Sequence, residues 1–323
     1  MKTLAPWLAP AWNVLAEDLR TRRLHHALLF GGPRGYGKRA LADAFVEAML
    51  CTDRGADGYA CGRCRSCLLV AAGSHPDLVR VTFELRDDGR PRTEITVDQL
   101  RALGQRLAMA SQFDGWQIAI VDPADAMTAN AANALLKTLE EPARETVLAL
   151  VADDPSRLPA TIRSRCRRVD IATPSHAEAL EWLREEGVPA DAAEATLAAS
   201  LGNPGQAREW AADGGLALLA ECRTDLAALS AARARPVAVA QRWAADRPDR
   251  RLWLAATLAR DEARRLGAGE GGALGLTARD EIPKLNVWFA RANRARGLLS
   301  TPLRAELVLL DLLRAWPARL GKT

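Results

Sequence analysis

Residues 24–30, LHHALLF, form a short apolar run that stops at the glycine-rich stretch GGPRGYGKRA (31–40). After Lys38 the spacing changes. Leu41, Ala44, Phe45, Ala48 and Met49 recur at three- and four-residue intervals, so one face of a helix is apolar. Two further unbroken apolar runs, Ile118–Val121 ending at Asp122 and VLALVA at 147–152, have the length and composition of strands covered on both faces. LVRVTFEL (78–85) and TEITV (93–97), flanking a DDG turn at Asp87–Gly89, also read as β. Asp98 can cap a helix running to about Ala110, and a helix from about Thr128 stops before Pro142. Strands alternating with helices predict an α/β domain with a largely parallel sheet and helices on both faces.

Beyond about Pro174 the strand signals vanish. Segments 176–187, 190–201 and 204–213 read as three short helices. From about Leu216 longer Ala/Leu/Arg-rich helices continue to Leu320, broken by GAGEGGALG at 267–275. The expected organisation is an α/β domain over 1–174, a small helical domain over 175–215 and a C-terminal helical domain over 216–323.

Composition narrows the class. With 49% hydrophobic and 26% charged residues in 323, the chain can build cores and is not a disordered polymer. The net charge of +4 permits a nucleic-acid partner without arguing for one, because Lys and Arg are not gathered into one stripe. No stretch approaches the roughly 20 apolar residues of a membrane span, and the N-terminus does not read as a signal peptide. A cytoplasmic location is expected, and with it reduced cysteines.

Four of the six cysteines, Cys51, Cys61, Cys64 and Cys67, follow the pattern C-x9-C-x2-C-x2-C. Two x2 steps put three sulfurs in one tight turn, and the x9 loop can return the fourth. Four thiolates at about 2.3 Å close a tetrahedral Zn²⁺ site with no open position, which makes the metal structural. Arg54, Arg63 and Arg65 lie in the segment to offset the thiolate charge. An iron–sulfur cluster and four free thiols are the alternatives; no Pro follows Cys67, as it does in the ferredoxin run. Cys166 and Cys222 stand apart as buried small residues.

Gly32 to Lys38 fit glycine, four residues, glycine, lysine, with Gly35 and Gly37 inside the loop. Such a loop cradles phosphates on backbone amides and a helix N-terminus, with Lys38 reaching the β/γ-phosphates. The next position calls for a Ser or Thr hydroxyl on Mg²⁺ and holds Arg39. Asp122 suits a Mg²⁺-directing acid, but Pro123 follows it and has no ionisable group to orient an attacking water. Loss of a general base costs about 10²–10⁴-fold in rate. Productive turnover is therefore not expected, while weak non-hydrolytic nucleotide binding stays open.

NALLKTLEEP (133–142), DDPSRLPATIRSRC (153–166) and the four-Cys segment after the first loop helix together resemble the clamp-loader branch of the AAA+ proteins, over roughly residues 20–210. The resemblance implies a P-loop AAA+ domain, a helical lid and an all-α collar for oligomerisation. It implies that Arg165, in Ser164-Arg165-Cys166, is an arginine finger acting on a neighbouring subunit's ATP. A fixed guanidinium of this kind is worth about 10³–10⁵ in rate. Implied partners are ATP-hydrolysing subunits of the gamma/tau type, a delta-type subunit and, through the complex, the sliding clamp and primed DNA. The polymerase label of the holoenzyme would then attach by association, since no nucleotidyl-transfer site is visible. A sensor Thr or Asn is absent from VADDP (151–155), and GNPGQAR (202–208) places Gly205 where hydrolysing relatives have a lid Arg, with Arg208 one turn on. An ATP-hydrolysing clamp-loader subunit and a stand-alone zinc-dependent nucleic-acid binder are the competing readings.

Overall fold

The computed structural model describes residues 4–86, 88–113, 115–299, 301 and 303–317. They divide into two compact units, parted between Trp182 and Leu183. Asp87 of the expected turn and Leu320 at the expected end of the last helix lie outside the described residues.

In the first unit a 3₁₀ turn (Pro6–Leu8) leads into α1 (Ala9–Arg20). Strand β1 (Ala27–Gly31) runs into the glycine loop, and α2 (Lys38–Leu50) leaves it. The cysteine segment follows, closing with α3 (Arg65–Ala71). Then come β2 (Leu78–Val81), α4 (Val97–Leu107), β3 (Gln117–Val121), α5 (Ala129–Glu140), β4 (Thr146–Ala152), α6 (Ala160–Arg163) and β5 (Arg167–Val169). The five strands form one parallel sheet in the order β2-β3-β4-β1-β5.

Alternation of side chains between two covered faces explains why β3 and β4 are buried at every position and apolar from Ile118 and Val147 onward. Leu28, Phe30, Ile118, Ile120, Val147 and Ala149 face one way and pack with Trp12, Leu15, Leu41 and Phe45 of α1 and α2. Leu29, Ala119, Val121, Leu148 and Leu150 face the other way, against Leu100 and Leu103 of α4 and Leu135 and Leu139 of α5. The expected α/β P-loop architecture is the one observed.

Three local expectations need correction. The β-like run 78–85 is a strand only to Val81; Leu85 makes an isolated antiparallel bridge with Pro91. TEITV contributes one bridge, Ile95 to Met127, because Thr96 already caps the next helix. That cap is Thr96 rather than Asp98: its hydroxyl accepts from the Gln99 N–H while Gln99 Oε1 accepts from the Thr96 N–H, a reciprocal capping box. The short strand β5 carried no sequence signal.

α7 (His176–Glu185) runs across the division of the chain. The second unit is helical, with α8 (Ala190–Ala199), α9 (Pro204–Ala212), α10 (Gly215–Ser230), α11 (Pro236–Ala245), α12 (Pro248–Gly267), α13 (Ile282–Leu298) and α14 (Ala305–Arg314). Trp210, Trp243, Trp288 and Trp316 are buried in its core. The glycine-rich stretch after α12 is pinned by the buried Glu262 carboxylate, which accepts from the Ala273 and Leu274 N–H groups. Among the described residues no helix is long and apolar enough to cross a membrane.

Candidate functional site

The glycine loop has the backbone its sequence demands. Gly32, Gly35 and Gly37 all take positive φ, a region costing an L-residue with a Cβ about 1–2 kcal/mol. The register of the sheet then decides what lies beside the loop. Gly31 pairs with Ala152, and the Gly32 N–H donates to the Ala152 carbonyl at 3.1 Å, so Asp153 emerges next to the loop. Val121 pairs with Leu150, which brings Asp122 to the same sheet edge.

These neighbours consume the loop's charges. Lys38 is 2% exposed and ion-paired with Asp153. Arg39 donates from Nη1 and Nη2 to the two Asp153 oxygens, at 2.9 and 3.1 Å. Its Nε donates to Asp122 Oδ2 at 2.8 Å. Two cations and two carboxylates thus cancel. Burial pushes the Lys38 ammonium below its ordinary pKa, which the Asp153 charge only partly offsets. Burial also works against the charged forms of Arg39 and Asp153, yet the pairing outweighs it, holding Arg39 above its usual range and Asp153 below. Asp125 is engaged too, accepting from the Asp153 and Asp154 N–H groups at 3.2 and 2.9 Å. No acid is free at the position of Pro123.

The other side of the loop is covered by the 3₁₀ turn before α1. Trp7 Nε1 donates to the Tyr36 carbonyl at 2.9 Å, and a Cβ on Gly37 would meet Leu8 Cδ1 at 2.7 Å. Neither Trp7, Leu8 nor Asp153 was singled out from the sequence. Asp153 could have been found as a charged residue directly following an apolar strand.

Arg165 lies between two core anchors, Ile162 and Cys166, which pack with Leu135 and Leu139 of α5. Its Nη2 is 2.7 Å from Glu140 Oε1, and its Nη1 donates to the Thr161 carbonyl at 3.0 Å. The surrounding arginines differ: Arg167 pairs with Asp18 at 2.5 Å, whereas Arg163 and Arg168 are exposed. In the second unit Arg208 pairs with Glu186.

The four cysteines converge as their spacing requires. The Sγ atoms of Cys51, Cys61, Cys64 and Cys67 all lie within 4.8 Å of one another, and Cys51 and Cys64 are 3.9 Å apart. Tetrahedral thiolates around a metal at about 2.3 Å stand about 3.8 Å from each other. The Cys51–Cys64 spacing already matches that value, and the wider pairs need to close by no more than about 1 Å to hold such an ion. Burial raises the Cys51 and Cys67 thiols. Cys61 is lowered by the Arg63 and Cys64 N–H groups, and Cys64 falls to about 5 although burial opposes it, through the Thr52 hydroxyl and the Cys67 N–H. Of the arginines of the segment, Arg54 donates to the Ala48 carbonyl and Arg65 sits over the Phe113 ring, while Arg63 pairs with Asp53 and also meets the Cys61 thiol, whose negative charge it can offset. Trp12 anchors the segment to α1 by stacking on Tyr59 at 4.0 Å and donating to the Asp57 carbonyl. Cys166 and Cys222 are buried singly, as expected, and burial pushes each thiol up to about 12.

Comparison with known proteins gives a consistent result. The chain is 43% identical over 206 residues to DNA polymerase III subunit delta' of Pseudomonas aeruginosa, covering 63% of this chain and 60% of the relative. It is 39% identical over 204 residues to the protein of the same name from Escherichia coli, covering 62% and 59%. DNA polymerase III subunit tau/gamma of Haemophilus influenzae is 34% identical over 154 residues, 48% of this chain and 21% of that one. The chain thus aligns with about 60% of the length of its delta' relatives. The family model described as "DNA polymerase III, delta subunit" matches residues 7–175, more than half of the sequence, and the chain belongs to that family.

Proposed function

We propose that this chain is a non-hydrolysing subunit of a DNA polymerase III clamp loader. The observation that carries the reading is the closed ion quartet of Lys38, Arg39, Asp122 and Asp153. A triphosphate–Mg²⁺ complex needs Lys38 for its phosphates and Asp122 to direct the metal, and both are already neutralised from within. Phosphoryl transfer depends on positioning and charge stabilisation, so a loop engaged in this way does not turn over ATP.

The chemistry lies instead at Arg165, a finger presented to the ATP of an adjoining gamma/tau-type subunit. Its accessible guanidinium, set in a rigid backbone between Ile162 and Cys166, suits that role. The four cysteines hold a structural Zn²⁺ that braces the segment after α2. Residues 175–215 serve as a lid and 216–323 as the collar through which neighbouring subunits, including a delta-type one, assemble. The complex opens the sliding clamp and places it on primed DNA in the cytoplasm. The polymerase classification belongs to the holoenzyme.

The test is reconstitution with candidate partner subunits. Arg165→Ala is expected to leave folding and assembly intact and to lower the ATPase rate of the complex by about 10³-fold or more. An unchanged rate removes the finger role. ATP turnover by the isolated chain that Lys38→Ala abolishes would support the hydrolysing reading instead.

A further inference from the structure

The Arg165 guanidinium is held at two points. Ile162 and Cys166 fix its backbone in the core beside α5, and Thr161 accepts from Nη1 one helical turn back. The second hold comes from another element: Glu140, the last residue of α5, meets Nη2 at 2.7 Å. The Glu140 side chain is 50% exposed and that of Arg165 37%, so the pair sits at the surface with the remaining N–H groups of the guanidinium available to a neighbour.

We propose that Glu140 is the positioning residue of Arg165: it fixes the direction of the guanidinium before a neighbouring subunit's nucleoside triphosphate arrives. The proposal rests on the finger reading of Arg165. An unheld arginine carries large rotamer freedom, and freezing it at the moment of reaction slows the step. Glu140 removes much of that freedom in advance. Its negative charge also tempers the guanidinium, but a polyphosphate is a far stronger anion and competes for the same cation. Aim therefore outweighs neutralisation, and losing Glu140 lowers the rate.

The size of the effect follows from the exposure of the pair. Exposed ion pairs hold with up to about fivefold in population, so Glu140→Ala should lower kcat of the reconstituted complex by up to about fivefold with KM for ATP unchanged. Glu140→Gln, which keeps an acceptor without the charge, should lose less. Adding Glu140→Ala to Arg165→Ala should cost nothing more, because Glu140 acts only through Arg165. The partly exposed site predicts wild-type thermal melting for both Glu140 variants. An unchanged or increased kcat for Glu140→Ala overturns the proposal, as does a loss that persists without Arg165. If Arg165→Ala alone leaves the rate intact, the finger reading fails and takes this proposal with it.

Discussion

Arg39 grips Asp153 with both terminal guanidinium nitrogens, at 2.9 and 3.1 Å, joining residues 114 positions apart. The same carboxylate meets Lys38, the residue that a phosphate loop reserves for its ligand. Asp153 thus supplies from within the chain the negative charge that a nucleotide would bring from outside.

Removing that charge should uncover the loop. Asp153→Asn leaves Lys38 and Arg39 against Asp122 alone, a net positive site beside the loop amides. Without ligand the variant should lose about 1–2 kcal/mol of stability, since an amide replaces a charged bidentate acceptor. Millimolar pyrophosphate should then raise its melting temperature and leave the wild type unmoved, as expected for a ligand that binds only one folded protein. Calorimetry checks the same point. Equal pyrophosphate binding by the wild type would show that Asp153 does not close the loop.

The pairing also sets an acid limit. The folded Asp153 titrates below its ordinary value of 3.8, because Arg39 and Lys38 outweigh the opposing effect of burial. A carboxylate depressed on folding contributes stability above its unfolded pKa and loses it as pH falls through the folded one. From about pH 4 downward, the urea midpoint of the wild type should fall more steeply than that of Asp153→Asn. Parallel curves for the two proteins would refute the linkage.

For the cysteine cluster the expected result is one metal ion per chain, zinc rather than iron. Elemental analysis of protein purified without chelator decides this. Cys61→Ser should lower the zinc content sharply, because three thiolates leave an open, labile position. Proteolysis should then cut between Cys51 and Cys67 while the sheet survives, since β1, β3 and β4 are buried by other contacts. Full zinc occupancy in Cys61→Ser would mean that this thiol is not a ligand.

Legibility in the sequence followed the range of the interactions. The central strands were readable because burial on both faces leaves unbroken apolar runs from Ile118 and Val147, and the metal set because its spacing is local. β5 was not, since three residues, RRV, carry no period. The glycine loop showed what it lacks at Arg39 and Pro123. That Arg39 faces Asp153 became visible only in the fold, through the pairing of Gly31 with Ala152. The same holds for Glu140 and Arg165, joined across α5 and the turn after α6.

Repairing the two visible defects should therefore fail. Arg39→Ser with Pro123→Glu restores the hydroxyl and the acid that a hydrolysing loop would have. It also removes a cation and adds an anion, leaving Lys38 against Asp122, Asp153 and the new carboxylate. Mg²⁺ would only bring this site back to neutrality, with Lys38 still held by Asp153. The double variant should bind ADP–Mg²⁺ no better than the wild type and turn over no ATP. Adding Asp153→Asn frees Lys38 and removes one negative charge, so ADP–Mg²⁺ binding should appear in the triple variant and vanish again with Lys38→Ala. Titration of a fluorescent ADP analogue measures each step. Tight binding by the double variant would mean that Arg39 and Pro123, rather than Asp153, are what oppose a nucleotide at the loop.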